Sequence, residues 1–182
     1  MTSGNVTAAK PKVGGAIYIA PVGTTLPTTA VAALDNAFAE LGYASDAGLT
    51  NNNTPESDAI KAWGGDTVLT LMTSRDDTFS LTLIEATNEE VLKLVYGDDN
   101  VTGTLATGIA ITANTKDLEA HAFVIDMVLK NGAAKRIVIP QAKVSEIGEI
   151  AYTDGDAVGY ETTLTCEADA SGNTHYEYIK AA

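Results

Sequence analysis

Few side chains in this sequence could carry chemistry, and their spacing defeats the reactions they suggest. His121 lies in a strand-like run and His175 just after a turn, so the two histidines offer neither the paired spacing of an HExxH zinc site nor an evident base for a nucleophile. Each reads as structural or solvated. Gly103 and Gly108 stand like the two glycines of a phosphate-binding loop, but Ile109-Ala110 occupy the places where Lys and Ser or Thr are required. The match fails at the residues that perform the chemistry. No GxGxxG or GxSxG occurs, and Asp98-Asp99-Asn100 lacks the further ligands of a calcium loop, which leaves an acidic surface turn. Asp76-Asp77, Glu89-Glu90 and Asp98-Asp99 are adjacent pairs. Neighbours on a strand point to opposite faces, so such pairs are poorly placed for acid/base work. Cys166 is the lone cysteine, which excludes an internal disulfide and a thiolate metal cluster. Its place in the alternating run Val158, Tyr160, Thr162, Leu164, Cys166 suits a small buried hydrophobe. No catalytic residue, cofactor or metal is expected.

The elements that would position any site are mostly strands. Phe79, Leu81 and Leu83 alternate with Thr78, Ser80 and Thr82, the period of two that buries one side-chain set and leaves the other in water. A single helix near residues 88–96 follows. Thr87-Asn88-Glu89-Glu90 has the form of a capping box, Val91, Leu94 and Val95 make an apolar stripe, and Gly97 supplies a left-handed stop. Further strands are expected at Ala16–Ala20, Phe38–Tyr43, Val68–Met72 and Ile109–Ala113. Asn131-Gly132 marks a tight hairpin between Leu118–Lys130 and Lys135–Ile139. Asp154-Gly155 and Ser171-Gly172-Asn173 mark two more, the last closed by Tyr176–Ile179. Residues 1–12 read as a flexible arm. Residues 44–66, with three consecutive asparagines, Thr54-Pro55 and Gly64-Gly65, read as a long loop whose only large apolar residues toward its end are Ile60 and Trp63. The expectation is one mainly β domain over 13–182, an antiparallel β-sandwich or partial barrel with one flanking α-helix.

Composition narrows the function class. A chain of 182 residues with 45% hydrophobic content can bury a sizeable core. Its 24 acidic and 11 basic residues give a net charge of −13, which opposes retention of a phosphate backbone. The start of the chain has no basic segment leading into a long apolar run, and no stretch approaches the length of a membrane span, so a soluble, cytosol-made protein is expected.

Three phrases carry a family resemblance: Leu41-Gly42-Tyr43-Ala44-Ser45-Asp46-Ala47-Gly48-Leu49-Thr50, then Asp58-Ala59-Ile60-Lys61-Ala62-Trp63-Gly64-Gly65, then Arg75-Asp76-Asp77-Thr78-Phe79-Ser80-Leu81-Thr82-Leu83. In this order, with the helix after them, they resemble the major tail tube proteins of long-tailed bacteriophages, especially those of Gram-positive hosts, over roughly Val13 to Ile179. The resemblance implies a structural virion protein, not an enzyme. It implies hexameric rings that close their sheets into an inner barrel and stack into a tail tube conducting DNA into the host. It implies contacts with tape-measure, tail terminator and baseplate proteins, free passage of DNA without specific binding, and no membrane. The protein is then made in the host bacterial cytoplasm and ends in the virion. The 44–66 segment would reach the neighbouring ring, with Ile60, Lys61 and Trp63 in the inter-ring contact, and Thr78, Ser80 and Thr82 would face the lumen. A six-chain ring would carry roughly −78 before counterion screening, which suits passage without adhesion. Related tube-fold components remain as alternatives, namely a type VI secretion tube, tail terminator or baseplate-hub protein. An adhesin-like or carbohydrate-binding β-sandwich is a further one, weakened by a single Trp and seven scattered Tyr.

Overall fold

The computed structural model describes residues 5–182, so the first four residues of the expected N-terminal arm lie outside the described part. The centre of the fold is a pair of long strands, β8 (Ala120–Leu129) and β9 (Ala134–Ile147), joined through Asn131-Gly132 as expected. Gly132 has a φ of 85°, and its N–H donates to the Leu129 carbonyl at 2.8 Å. Around this pair lie β1 (Ala9–Pro11), β2 (Ile17–Pro21), β3 (Ala39–Glu40), β4 (Ala44–Lys61), β5 (Thr67–Leu83), β10 (Tyr160–Cys166) and β11 (Tyr176–Lys180). They form one nine-stranded sheet in the order β3-β2-β8-β9-β10-β5-β4, with β1 on β8 and β11 on β9. The strands β6 (Val101–Thr102) and β7 (Ala110–Ile111) make a separate antiparallel pair. Every ladder is antiparallel, and one helix flanks the sheet, which agrees with the mainly β expectation.

The core lies between the sheet and α1 (Glu89–Tyr96). Val91, Leu92, Leu94 and Val95 form one buried cluster with Phe79, Leu81 and Leu83 of β5, Phe123 and Ile125 of β8, Ile137 and Ile139 of β9, and Leu164 of β10. The helix begins one residue later than the capping-box reading placed it. Asn88, not Thr87, is the cap: its Oδ1 accepts from the Glu90 N–H at 3.0 Å. Its amide also donates to Glu85 and to the Glu40 carbonyl, so one side chain caps the helix and ties it to β3. Glu90 does not reach back but pairs with Lys93 at 2.6 Å. Gly97 ends the helix at a φ of 99°.

The second face of β8 and β9 is buried as well, which explains the nearly unbroken apolar run of β8. The segment 22–38 crosses it and is held by a buried ion pair. Arg136 grips Asp126 through two parallel bonds, Nε–Oδ1 at 2.6 Å and Nη2–Oδ2 at 2.7 Å. The remaining guanidinium nitrogen donates to the carbonyls of Thr29 and Ala32. Both partners are almost wholly buried, with Arg136 only 2% exposed.

Four expected elements change. Ala9–Pro11 is not a loose arm: it is β1, and it pairs with Met127 to Leu129, the part of β8 that β2 does not cover. Phe38–Tyr43 shrinks to the two-residue β3, and Ile109–Ala113 to β7. The turn at Ser171-Gly172-Asn173 reverses the chain, yet β11 does not return along β10. It pairs with the first half of β9, from Tyr176 on Val138 to Lys180 on Ala134, while β10 takes the second half.

Truncating one member of a buried, hydrogen-bonded ion pair strands the other, so Arg136→Ala is expected to cost about 3–5 kcal/mol of stability. Denaturant titration checks this, and a loss below about 1 kcal/mol would contradict the pinning role of the pair.

A projecting ribbon as candidate assembly surface

The 44–66 segment is not a loop. Residues Ala44–Lys61 are β4, paired with β5 from Ala44 on Leu83 to Lys61 on Thr67, with bulges after Ala44, Glu56 and Ile60. Val68–Met72 and Phe79–Ile84, expected as two strands, are joined in the single strand β5, which ends at Leu83. Asparagine, glycine and proline are poor strand formers, but β4 is an edge strand, where Pro55 is tolerated if its missing N–H points outward. The partner strand supplies the ladder that the residues of β4 do not favour by themselves.

This hairpin has two physically different halves. From Thr78 to Leu83, β5 is paired on both sides, with β4 and β10, and Phe79, Leu81 and Leu83 are buried. From Thr67 to Asp77 it pairs with β4 alone. Here Val68, Leu69, Leu71, Met72 and Ile60 all stand exposed, on both faces of a bare two-stranded ribbon. The tip is a turn in which the Ala62 N–H donates to the Asp66 carbonyl at 2.8 Å, with Gly64 and Gly65 at positive φ. Trp63 sits in that turn fully in water, 107% exposed, rather than folded back on the core. Ile60 and Lys61 lie just before it at the end of β4. Sequence reasoning thus named the apolar residues of the tip but missed Val68 to Met72, which an apolar run without a buried counterpart could have flagged.

The root of the ribbon is fixed by a polar node. Asp77, 2% exposed, accepts hydrogen bonds from His175 Nδ1 at 2.5 Å, Thr174 Oγ1 at 2.6 Å and Asn51 Nδ2 at 2.8 Å. The His175 ring also meets Phe79 edge-on at 5.3 Å. Burial alone would push the Asp77 carboxyl up, but the bonds from Thr174, Asn51 and His175 outweigh it and hold it below the ordinary 3.8. His175, expected to be structural or solvated, is structural.

Thr78, Ser80 and Thr82 lie on the face of β5 opposite the buried set, as the alternation predicts, and are half-buried. The face continues across β10 and β9 as a row of hydroxyls. Ser80 Oγ lies 3.1 Å from Thr163 Oγ1, and Thr165 Oγ1 donates to Ser145 Oγ at 2.8 Å. Hydroxyls make up most of this surface, with charge added by Glu146 opposite Thr163, Glu161 opposite Thr82 and Lys143 opposite Thr165.

Elsewhere the chemistry is quiet. His121 is buried, with Nε2 3.4 Å from Asp98 Oδ2, and Cys166 is buried with its thiol pushed up to about 12, chiefly by desolvation. Among the described residues, no group of three or more His, Cys, Asp or Glu could hold a metal ion. Two clefts among the described residues, of about 80 and 170 Å³, fall short of the roughly 300 Å³ at which small-molecule pockets begin. No helix among the described residues is long and apolar enough to cross a membrane.

The Asp77 node predicts an acid-sensitive component of stability. Its folded value lies below the unfolded one, so its contribution is complete above the unfolded value and is lost as pH falls from about 3.8 through the lower folded value. Denaturation curves across that window should show wild type losing stability with acid more steeply than Asp77→Asn. Equal slopes would remove the node from the balance.

No curated protein matches this chain in sequence. Among solved structures, the anti-feeding prophage cap (AFP tube terminating cap), determined by cryo-EM, is similar at 10% sequence identity and a TM-score of 0.43, covering 100% of this chain and 99% of that one. The family model for phage tail tube proteins matches residues 4–182. That span takes in the whole sheet, the flanking helix and the projecting ribbon, and this chain belongs to the phage tail tube protein family.

Proposed function

We propose that this protein self-assembles into stacked hexameric rings that form a phage tail tube, the conduit for DNA ejection, and that it catalyses no reaction. The observation that carries the reading is the bare ribbon. A two-stranded hairpin is at best marginally stable alone in water, and this one exposes apolar side chains on both faces. Cover from neighbouring copies would complete it. In this reading Ile60, Lys61 and Trp63 belong to the contact between rings, and the free edge of β4 joins a neighbouring copy within the wall.

The hydroxyl face of β5, β10 and β9 suits the bore. Thr78, Ser80 and Thr82 hold water by hydrogen bonds without presenting cations, and the net charge of −13 disfavours adhesion of the passing polyphosphate. Tape-measure, tail terminator and baseplate proteins are the further partners, with synthesis in the host cytoplasm and final residence in the virion.

Electron microscopy of the concentrated protein tests the assembly: hollow tubes with six-fold end views are expected, and a monomer at every concentration would overturn it. Trp63→Ala should leave the subunit folded while raising the concentration needed for tube growth by roughly tenfold or more. Wild-type growth by that variant would take Trp63 out of the contact. Assembled tubes should not retain duplex DNA near physiological salt, and saturable, salt-sensitive retention would contradict the bore assignment.

A further inference from the structure

The strand ladders sort charge to opposite ends of the subunit. Lys10 lies opposite Val128, Lys12 follows β1, Lys130 opens the β8–β9 turn, Lys135 follows it, and Lys180 lies opposite Ala134. Five of the eleven basic residues therefore gather at one end of the sheet. Two carboxylates stand among them and both are engaged, Asp126 with Arg136 and Lys12, and Glu177 with Lys135 at 3.0 Å. Lys10, Lys130 and Lys180 are exposed and have no ion-pair partner among the described residues. At the other end of β9, residues 148–159 join it to β10 and carry Glu149, Asp154 and Asp156, all exposed, with no Lys or Arg, while the cations toward this end are Lys143, paired with Asp117, and the exposed Lys116 just before β8. Fourteen residues of β9 hold the two ends roughly 40 Å apart.

In a chain of net charge −13, an exposed patch of unpaired lysines calls for an acidic surface. We infer that the lysine end of one copy docks on the 148–159 end of a second copy, so that charge complementarity sets a head-to-tail polarity of stacking. This rests on the tube reading, and it adds which surfaces meet and why the stack has one direction. Like ends brought together would set lysines against lysines or carboxylates against carboxylates, and such contacts are strongly disfavoured. The same charges that favour parallel stacking therefore disfavour the antiparallel one.

A charge swap tests it. One variant carries Lys10→Glu, Lys130→Glu and Lys180→Glu, and a second carries Glu149→Lys, Asp154→Lys and Asp156→Lys. All six positions are exposed, so the subunit fold should persist. Light scattering and electron microscopy at low salt should show each variant needing at least about tenfold more protein than wild type to assemble. A one-to-one mixture of the two should assemble near the wild-type concentration, since each then supplies the end that the other lacks. Variants that assemble alone as readily as wild type would overturn the pairing of these ends while leaving the tube reading intact. Failure of the lysine variant beside normal assembly of the acidic-loop variant would seat the lysines on another acidic surface, such as the ribbon with Glu56, Asp58 and Asp66, and would also overturn it. Retention of duplex DNA by wild type but not by the lysine variant would assign the patch to nucleic acid instead. Wild type that never assembles would overturn the tube reading itself.

Discussion

One edge of β9 is contested by two strands, and much of the architecture follows from how they share it. A backbone edge can satisfy only one ladder at each position. β10 occupies it from Ala142 to Ile147 and β11 from Ala134 to Val138. Because β10 ends at Cys166, β5, which follows β10, loses its inner neighbour below Thr78. The hairpin then continues with nothing beneath it. The bare ribbon is therefore a consequence of strand competition at the centre of the sheet, and not a separate appendage. Asp77 stands where the two paths diverge and ties β4 and β5 to the residues entering β11.

Buried polar groups do a consistent job in this fold. Hydrophobic burial holds α1 to the sheet without much regard for direction, whereas hydrogen bonds between desolvated groups require one arrangement. Arg136 and Asp126 fix segment 22–38 over the outer face, and Glu85, accepting from Tyr43 and Asn88, fixes the entry to β4 against the helix start. The glycine at position 42 is required there: its φ is 74°, and a Cβ would lie 2.0 Å from the Glu85 carboxyl carbon. Each polar node sits where an irregular segment meets a regular one.

What was legible in the sequence followed the range of the forces involved. The helix, the Asn131-Gly132 turn and the alternation of β5 depend on residues a few positions apart, and all three appear where expected, the helix cap shifted by one residue. β4 was not legible, because Gly48, Asn51 to Asn53 and Pro55 weigh against a strand and the deciding ladder comes from β5. Nor was the destination of β11, since turn chemistry reports a reversal and not which edge receives the chain. Of the candidate surface, the exposure of Thr78, Ser80 and Thr82 to one face was readable from their period. Asp77 was not, because its donors Thr174 and His175 arrive from 97 and 98 residues away.

Pro55 gives the outer rim of β4 a further property. The row of donors and acceptors along that rim is broken once by a residue with no N–H, and again by the kink after Glu56. A strand that pairs along it must match these interruptions in register. Pairing at this margin is thereby restricted to a partner that arrives in the matching register.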